Sequence, residues 1–487
     1  MFFKGLWGYL PANILQGIIG FATLMVFTRF LTPEAYGQYA LAFGLSSLVY
    51  TLVFTWMEAA MARFYIAESR DEDEAPALYG TVYRSFAAVT AAFAVVATIV
   101  LLVWPSAGSL KTAIALALTT LIPRSLIRLV QEQRRAEGRV GAASIVDMIQ
   151  TAGGFGLGVA CAVIGIGGAS PIVGTGLIGA LTLPFVVRED WGRAVRGRFD
   201  AGRAKSYARY GFPLALSLVL TLALYTADRF LIAGFLNEAQ AGAYHAGYSL
   251  ASRILDVLFI WFGAAGTPAM VQALEAGGEG ALKVAARQQL TTMAFVLFPA
   301  VGGLVMVAPA LGEIVIGEAL REPALSVTPL ISLGALFSGL NTYYFLQAFT
   351  LAKKTRLLVV AMAVPAVANI ALNLALIPPF GLIGAAWATA LSFGIGLAAS
   401  WGLGRAALPL PVAATELFMT AASAIFMMAV VSLLPNYGGV VELAAKAATG
   451  AAVYAVLAWL LDLNGIRAAA GPRLVQIYTR LRAKVFA

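Results

Sequence analysis

The 487-residue chain is 60% hydrophobic and only 12% charged, with a mean hydropathy of +0.84. A soluble domain carries about 25% charged residues, so a soluble globular protein is excluded. The net charge of +9 would suggest nucleic acid as a partner of a soluble protein; here it points to membrane topology and to anionic inner-leaflet lipid, and no nucleic-acid partner is expected.

A helix needs about 20 apolar residues to cross the hydrocarbon. Fourteen such stretches are predicted, near 6–30, 36–66, 79–103, 109–131, 140–165, 170–188, 206–235, 241–271, 284–308, 326–352, 356–377, 381–404, 412–434 and 440–462. No cleavable leader is expected, because Met1 to Trp7 runs directly into a full-length span. With the N-terminus inside, the inner gaps and the C-terminal tail receive most of the 33 Lys and Arg residues. The exceptions are Arg29, Lys111, Arg229, Arg253, Arg321 and Lys446. That bias in short loops predicts cytoplasmic termini.

The loop after span 2 carries the acidic run Glu68 to Glu74, read as a solvated turn. Between spans 6 and 7, residues 189–205 interleave basic side chains with Trp191, Val195 and Phe199, which predicts an interfacial linker. The tail from Pro472 places Leu474, Ile477, Tyr478, Leu481 and Val485 on one stripe, with basic residues outside it. Leu31, Gly37 and Tyr39 recur at a constant offset as Leu236, Gly242 and Tyr244, six spans later. An even number of intervening spans makes the halves parallel repeats. The expected architecture is an all-α polytopic membrane protein of 14 transmembrane helices, in two parallel-repeat six-helix lobes plus two C-terminal helices. Its parts are an N-lobe (1–188), a linker (189–205), a C-lobe (206–405), spans 13–14 (406–463) and a cytoplasmic tail (464–487).

Ionisable groups inside the membrane are functional candidates, because even the mildest scale charges a few kcal/mol for each. Arg29, Arg63, Arg229 and Arg253 fall on spans 1, 2, 7 and 8, equivalent helices of the two halves. Together they would form a cationic cavity for a phosphate or diphosphate. Arg253 also admits a structural pairing with Asp256, three residues on. Glu58, Asp147, Asp228 and Asp256 are the candidate coupling or counter-charges. Glu416 and Glu442, near span ends, are expected to reach water. Asn369 and Asn373 read as interhelical hydrogen-bonding residues, and the glycines 153, 154, 156 and 158 as a close-packing face. Cys161 and the sole histidine, His245, read as packed side chains. No P-loop, metal-ligand spacing or nucleophile–histidine pattern occurs in the sequence, so no cofactor, no metal and no enzymatic activity is expected.

The stretches FTRFLTPEAYGQYALAFGLSSLV (27–49), ADRFLIAGFLNEAQAGAYHAGYSL (227–250) and NLALIPPFGLIGAAWATALS (373–392) resemble the polysaccharide transporter family, which holds the O-antigen and exopolysaccharide flippases of the multidrug/oligosaccharidyl-lipid/polysaccharide exporter superfamily. The resemblance implies a bacterial cytoplasmic (inner) membrane location. It also implies alternating-access export of a lipid-diphosphate-linked oligosaccharide on an undecaprenyl-type carrier, for O-antigen, capsule or exopolysaccharide assembly. A polysaccharide polymerase complex is a further partner it suggests. By similarity, Arg29, Arg63, Asp228, Arg229 and Arg253 match positions where such proteins often carry charge. Two other readings are a cation-coupled multidrug antiporter of the same fold, which should show carboxylates central in its cavity, and a membrane glycan polymerase or ligase, which would want a large outer loop.

Overall fold

A computed structural model describes residues 2–69, 74–104 and 108–468, with side chains from Pro11 onward. The core of the acidic run (70–73) and the amphipathic stripe predicted from Pro472 lie outside the described residues. All regular elements among the described residues are helical. Hydrocarbon offers no partner to backbone N–H and C=O groups, and a helix satisfies them internally.

The helices are α1 (Phe2–Phe30), α2 (Pro33–Val53), α3 (Thr55–Glu68), α4 (Ala75–Val103), α5 (Ser109–Ala136), α6 (Val140–Val163), α7 (Ser170–Arg196), α8 (Ala201–Phe235), α9 (Glu238–Val315), α10 (Glu318–Leu340), α11 (Gln347–Leu351), α12 (Thr355–Ala407), α13 (Ala414–Ser432) and α14 (Gly439–Leu460). A π-helical turn, Asn341–Phe345, carries α10 towards α11, and the two make one span. α9 and α12, of 78 and 53 residues, are too long for single spans. Each is broken at one glycine in the left-handed half of conformational space: Gly278 at φ 65° and Gly381 at φ 59°. A side chain with a Cβ is strained there. Among the described residues eleven helices are singly long and apolar enough to span, and α2 with α3, bent by 44°, makes a twelfth. Dividing α9 and α12 at their glycines yields the expected fourteen.

The chain forms two compact units. The first comprises Met1–Ala246 and Val315–Leu320, and the second Gly247–Ile314 and the chain from Arg321. α8, the first span of the second half by sequence repeat, is part of the first unit. The stretch 189–205 consists of the last turns of α7, a turn at 197–200 and the start of α8, where the Asp200 side chain accepts the Arg203 amide at 3.0 Å. That turn is seated on α4, with the Arg198 amide donating to the Pro76 carbonyl at 3.1 Å.

The repeated motif marks helix starts. Thr32 is extended and its hydroxyl accepts the Ala35 amide at 3.2 Å, with Pro33 and Glu34 in the first turn of α2. In the second copy the Asn237 side chain accepts the Gln240 amide at 2.9 Å, with Glu238 opening α9. Both follow the preference for a capping oxygen and an acid at a helix N-terminus. The shared glycines pack on each other: a Cβ on Gly37 would lie 1.8 Å from the Glu238 carbonyl oxygen, and one on Gly242 would lie 2.8 Å from the Gly37 nitrogen.

Within the first unit, α6 and α7 touch backbone to backbone. A Cβ on Gly174 would fall 2.2 Å from the Gly158 nitrogen and 2.4 Å from the Gly154 oxygen. Lipid tails are as apolar as leucine, so close backbone approach rather than hydrophobic exclusion drives such contacts. In the second unit Tyr454 of α14 donates to the Phe295 carbonyl at 2.8 Å, within an apolar cluster around Met427 and Val431. Glu442 does not reach water. It is buried, accepts Lys446 at 2.6 Å and takes the Gly438 amide at 2.9 Å.

Gly174→Val is expected to overpack the α6–α7 contact at a cost of about 1–3 kcal/mol or more. Gly156→Ala, whose Cβ meets nothing within 4 Å, should leave stability unchanged. Thermal unfolding of the two purified variants in detergent checks this; equal melting temperatures would refute the contact.

Candidate functional site

α5 carries Arg124, Arg128, Gln131 and Arg135 at helical spacing, so one stripe of the helix is polar. At about 1.5 Å per residue, Arg124 lies roughly 22 Å from the start of α5 and 18 Å from its end. It lies inside a helix long and apolar enough to cross a membrane, although gap counting assigns its charge to the inner side.

α1, α2, α5, α6 and α7 enclose a cavity of about 240 Å³ within the first unit. Its polar lining includes Gln16, Arg124, Arg128, Asp147, Gln150 and Thr151, against the rings of Phe27, Tyr39, Phe43 and Phe155. Asp147 of α6 gathers the stripe. It accepts Arg135 Nη2 at 2.9 Å and Gln131 Nε2 at 3.3 Å, and Arg128 Nη1 stands 3.9 Å away. Asp147 is buried, and so many donors are what a carboxylate out of water requires.

Arg124 differs. Its guanidinium lies over the Tyr50 ring, 5.3 Å from the centroid, and it makes no hydrogen bond or ion pair with protein among the described residues. The nearby carboxylate of Glu58 is engaged elsewhere, as it accepts the Tyr50 hydroxyl across the break between α2 and α3. The cavity therefore holds one carboxylate already surrounded by donors and one cation with no anionic partner. Outside the spans, hydrogen bonding and charge from Arg139 hold the Glu189 carboxyl below the usual range.

Of the residues expected from sequence, Asp147 lines this cavity, and Glu58 is linked to it through Tyr50 and Arg124. Asp228 and Arg229 are buried in the first unit outside that lining; Asp228 accepts the Tyr244 hydroxyl at 2.8 Å. Arg29 is exposed and donates to the Met25 carbonyl on its own helix at 2.8 Å, and Arg63 is exposed on α3. Arg253 and Asp256 belong to the second unit. Arg253 is half-buried, Asp256 is exposed, and no ion pair joins them. Asn373 donates to the Asn369 carbonyl at 2.9 Å. Sequence reasoning missed Arg124, Arg128 and Gln150. The signal was present as the spacing 124, 128, 131, 135, which only a helix brings onto one face.

Residues 26–325 match the model of the polysaccharide biosynthesis protein family, more than half of the chain, and the chain belongs to that family. No curated protein matches it. The fold is similar to that of the lipid II flippase MurJ in an inward closed conformation, at 14% identity over 94% of this chain and 99% of that one, with a TM-score of 0.76. It is also similar to an inward-facing multidrug resistance MATE family transporter of the MOP superfamily, at 14% identity over 80% of this chain and 94% of that one, with a TM-score of 0.64. At such identities the likeness establishes the fold. The neighbours are transporters and flippases, not enzymes.

Asp147→Ala leaves Arg135 with Glu132 and takes the paired carboxylate from Arg128, and is expected to destabilise the protein by about 1–3 kcal/mol, the cost of removing one partner from a charged hydrogen-bonded group. Arg124→Gln, which removes no ion pair, should unfold at the wild-type temperature. Melting curves of both variants in one detergent decide this. A wild-type curve for Asp147→Ala would remove its structural role.

Proposed function

We propose that this chain is a flippase that moves a lipid-diphosphate-linked oligosaccharide across a bacterial cytoplasmic membrane by alternating access, with Arg124 as the principal contact of the diphosphate. The supporting observation is the uncommitted Arg124 guanidinium, far from either end of a helix long and apolar enough to cross a membrane, in the first unit's cavity. A diphosphate leaving water loses the hydration of about two negative charges, and a fixed, planar guanidinium replaces it through charge-assisted hydrogen bonds. Arg128 adds a second positive charge that Asp147 shares at 3.9 Å rather than neutralises in close contact. Gln16, Gln150 and Thr151 supply hydrogen-bonding groups suited to sugar hydroxyls.

In the same reading Arg253 is a further cationic contact in the second unit, the termini are cytoplasmic, and the product feeds surface-polysaccharide assembly. A polysaccharide polymerase is the natural recipient on the far side. Arg29, Arg63 and Arg229 then serve as anchoring or secondary cationic positions, and Asp228 and Asp256 as counter-charges. The alternative of a cation-coupled multidrug antiporter is less well supported. It requires a carboxylate free to take a cation, and in this cavity Asp147 is already met by Arg135 and Gln131.

Arg124→Gln is expected to lower export about ten- to hundredfold, the worth of a desolvated charge-assisted contact. Arg124→Lys should keep part of it. Surface polysaccharide in a strain lacking the native gene, with membrane protein level followed in parallel, measures this. Undiminished export by Arg124→Gln would overturn the assignment. Arg253→Ala should also reduce export, and the swap Arg253→Asp with Asp256→Arg should not restore it. Rescue by the swap would make Arg253 a scaffold residue.

A further inference from the structure

Tyr50 holds two groups of opposite charge at once. Its ring carries the Arg124 guanidinium, 5.3 Å from the centroid, and its hydroxyl donates to Glu58 Oε1. All three residues belong to the first unit.

The hydroxyl contact depends on the break between α2 and α3. Eight residues on a straight α-helix are separated by about 12 Å along the axis and about 80° around it. The 44° bend between α2 and α3 brings positions 50 and 58 within a hydrogen bond of each other. Phe54, at the break, is 1% exposed and packs against Phe86 and Phe93 of α4, with centroids 5.6 and 5.7 Å away. Aromatic packing on α4 thus holds the bend, and the bend holds the Tyr50–Glu58 pair.

Glu58 is half-buried, and among the described residues the Tyr50 hydroxyl is its one hydrogen-bond or ion-pair partner. The neighbouring acids are engaged: Asp147 by Arg135 and Gln131, and Glu132 by Arg135. Arg124 and Arg128 both lie within electrostatic reach of Glu58, and Arg128 is shared with Asp147. A carboxylate withdrawn from water keeps to a donor or a counter-charge. Deprived of the tyrosine hydroxyl, Glu58 has the uncommitted Arg124 within reach.

We infer that Tyr50 is a positioning residue that keeps Arg124 open to an anionic ligand: its hydroxyl holds Glu58 off the guanidinium while its ring orients that guanidinium. The inference rests on Arg124 as the diphosphate contact and adds what sets the strength of that contact. Loss of the hydroxyl does more than delete a hydrogen bond, because it releases a competitor for the binding cation. Neutralising the competitor as well reverses the loss.

Two measurements on the full chain in neutral detergent test this. Modification of Arg124 by phenylglyoxal, followed by peptide mass spectrometry, reports the availability of the guanidinium with no substrate present. Tyr50→Phe, which keeps the ring, is expected to slow it about tenfold, and Tyr50→Phe with Glu58→Gln to recover the lost rate. Binding of undecaprenyl diphosphate is expected to follow the same order, about tenfold weaker in the single variant and recovered in the double. A hydroxyl with a merely structural role predicts a double variant no better than the single one. Unchanged labelling of Arg124 in Tyr50→Phe, or no recovery when Glu58 is neutralised, would overturn the role of Tyr50. Labelling in the expected order, with undecaprenyl diphosphate bound equally well by Arg124→Gln, would uphold the role of Tyr50 and overturn the diphosphate reading instead.

Discussion

A charge held in hydrocarbon must find its counter-charge within the protein, and the first unit is organised around one such demand. Asp147, buried on α6, draws Arg135, Gln131 and Arg128 of α5 towards a single carboxylate. This locks the register of α5 against α6, because a one-residue rotation of either helix would point the donors away. The polar stripe of α5 thereby faces the interior rather than lipid. Asp147 reaches Arg135 and Arg128 but not Arg124, and that shortfall leaves a cation available to something other than protein.

Where charge does not hold helices together, glycine does. Gly154 and Gly158 receive Gly174 of α7, and Gly37 receives the start of α9. These contacts depend on small residues because leucine-like surfaces gain nothing by leaving lipid for one another. The breaks follow the same economy. Gly278 and Gly381 turn the chain where a Cβ would be strained, so two long apolar runs become four spans.

The coarse fold was legible because hydrocarbon permits so few solutions: fourteen apolar segments implied helices, and helices were found. The repeated Leu–Gly–Tyr motif was legible as a repeat, and its physical content is a capped helix start plus a glycine contact. The site was less legible. Counting Arg124 and Arg128 with the inner side hid them, although both fall inside the predicted span 109–131 and on one polar stripe of the 28-residue helix α5. The bend at Phe54 was invisible as well, since the sequence around it contains no Pro or Gly. Distances between Arg29, Arg63, Arg229 and other groups follow from how helices rotate about their axes, which one sequence leaves undetermined. Asp147 was identified because a lone carboxylate in a span has no inexpensive explanation.

The division of labour between Arg124 and Asp147 bears on the proposed transport cycle. A cavity in which every arginine was paired would oblige an anionic substrate to break an ion pair before making its own, and most of the binding energy would be cancelled. A cavity with no carboxylate would bind the anion and hold it. This one contains both elements on neighbouring helices, with Arg128 between them at 3.9 Å from Asp147. Substrate binding at Arg124 needs no prior rupture, whereas Arg128 can be drawn either to the substrate or to Asp147. A ligand shifts a conformational equilibrium only by its difference in affinity for the two states. A movement of α5 against α6 that brings Arg128 closer to Asp147 would weaken the hold on a diphosphate without exposing an uncompensated charge to lipid. Glu58, tied through Tyr50 to the α2–α3 bend, places a second carboxylate where the same competition can reach Arg124. Capture and release of a highly charged headgroup then depend on small shifts among five side chains on α2, α3, α5 and α6.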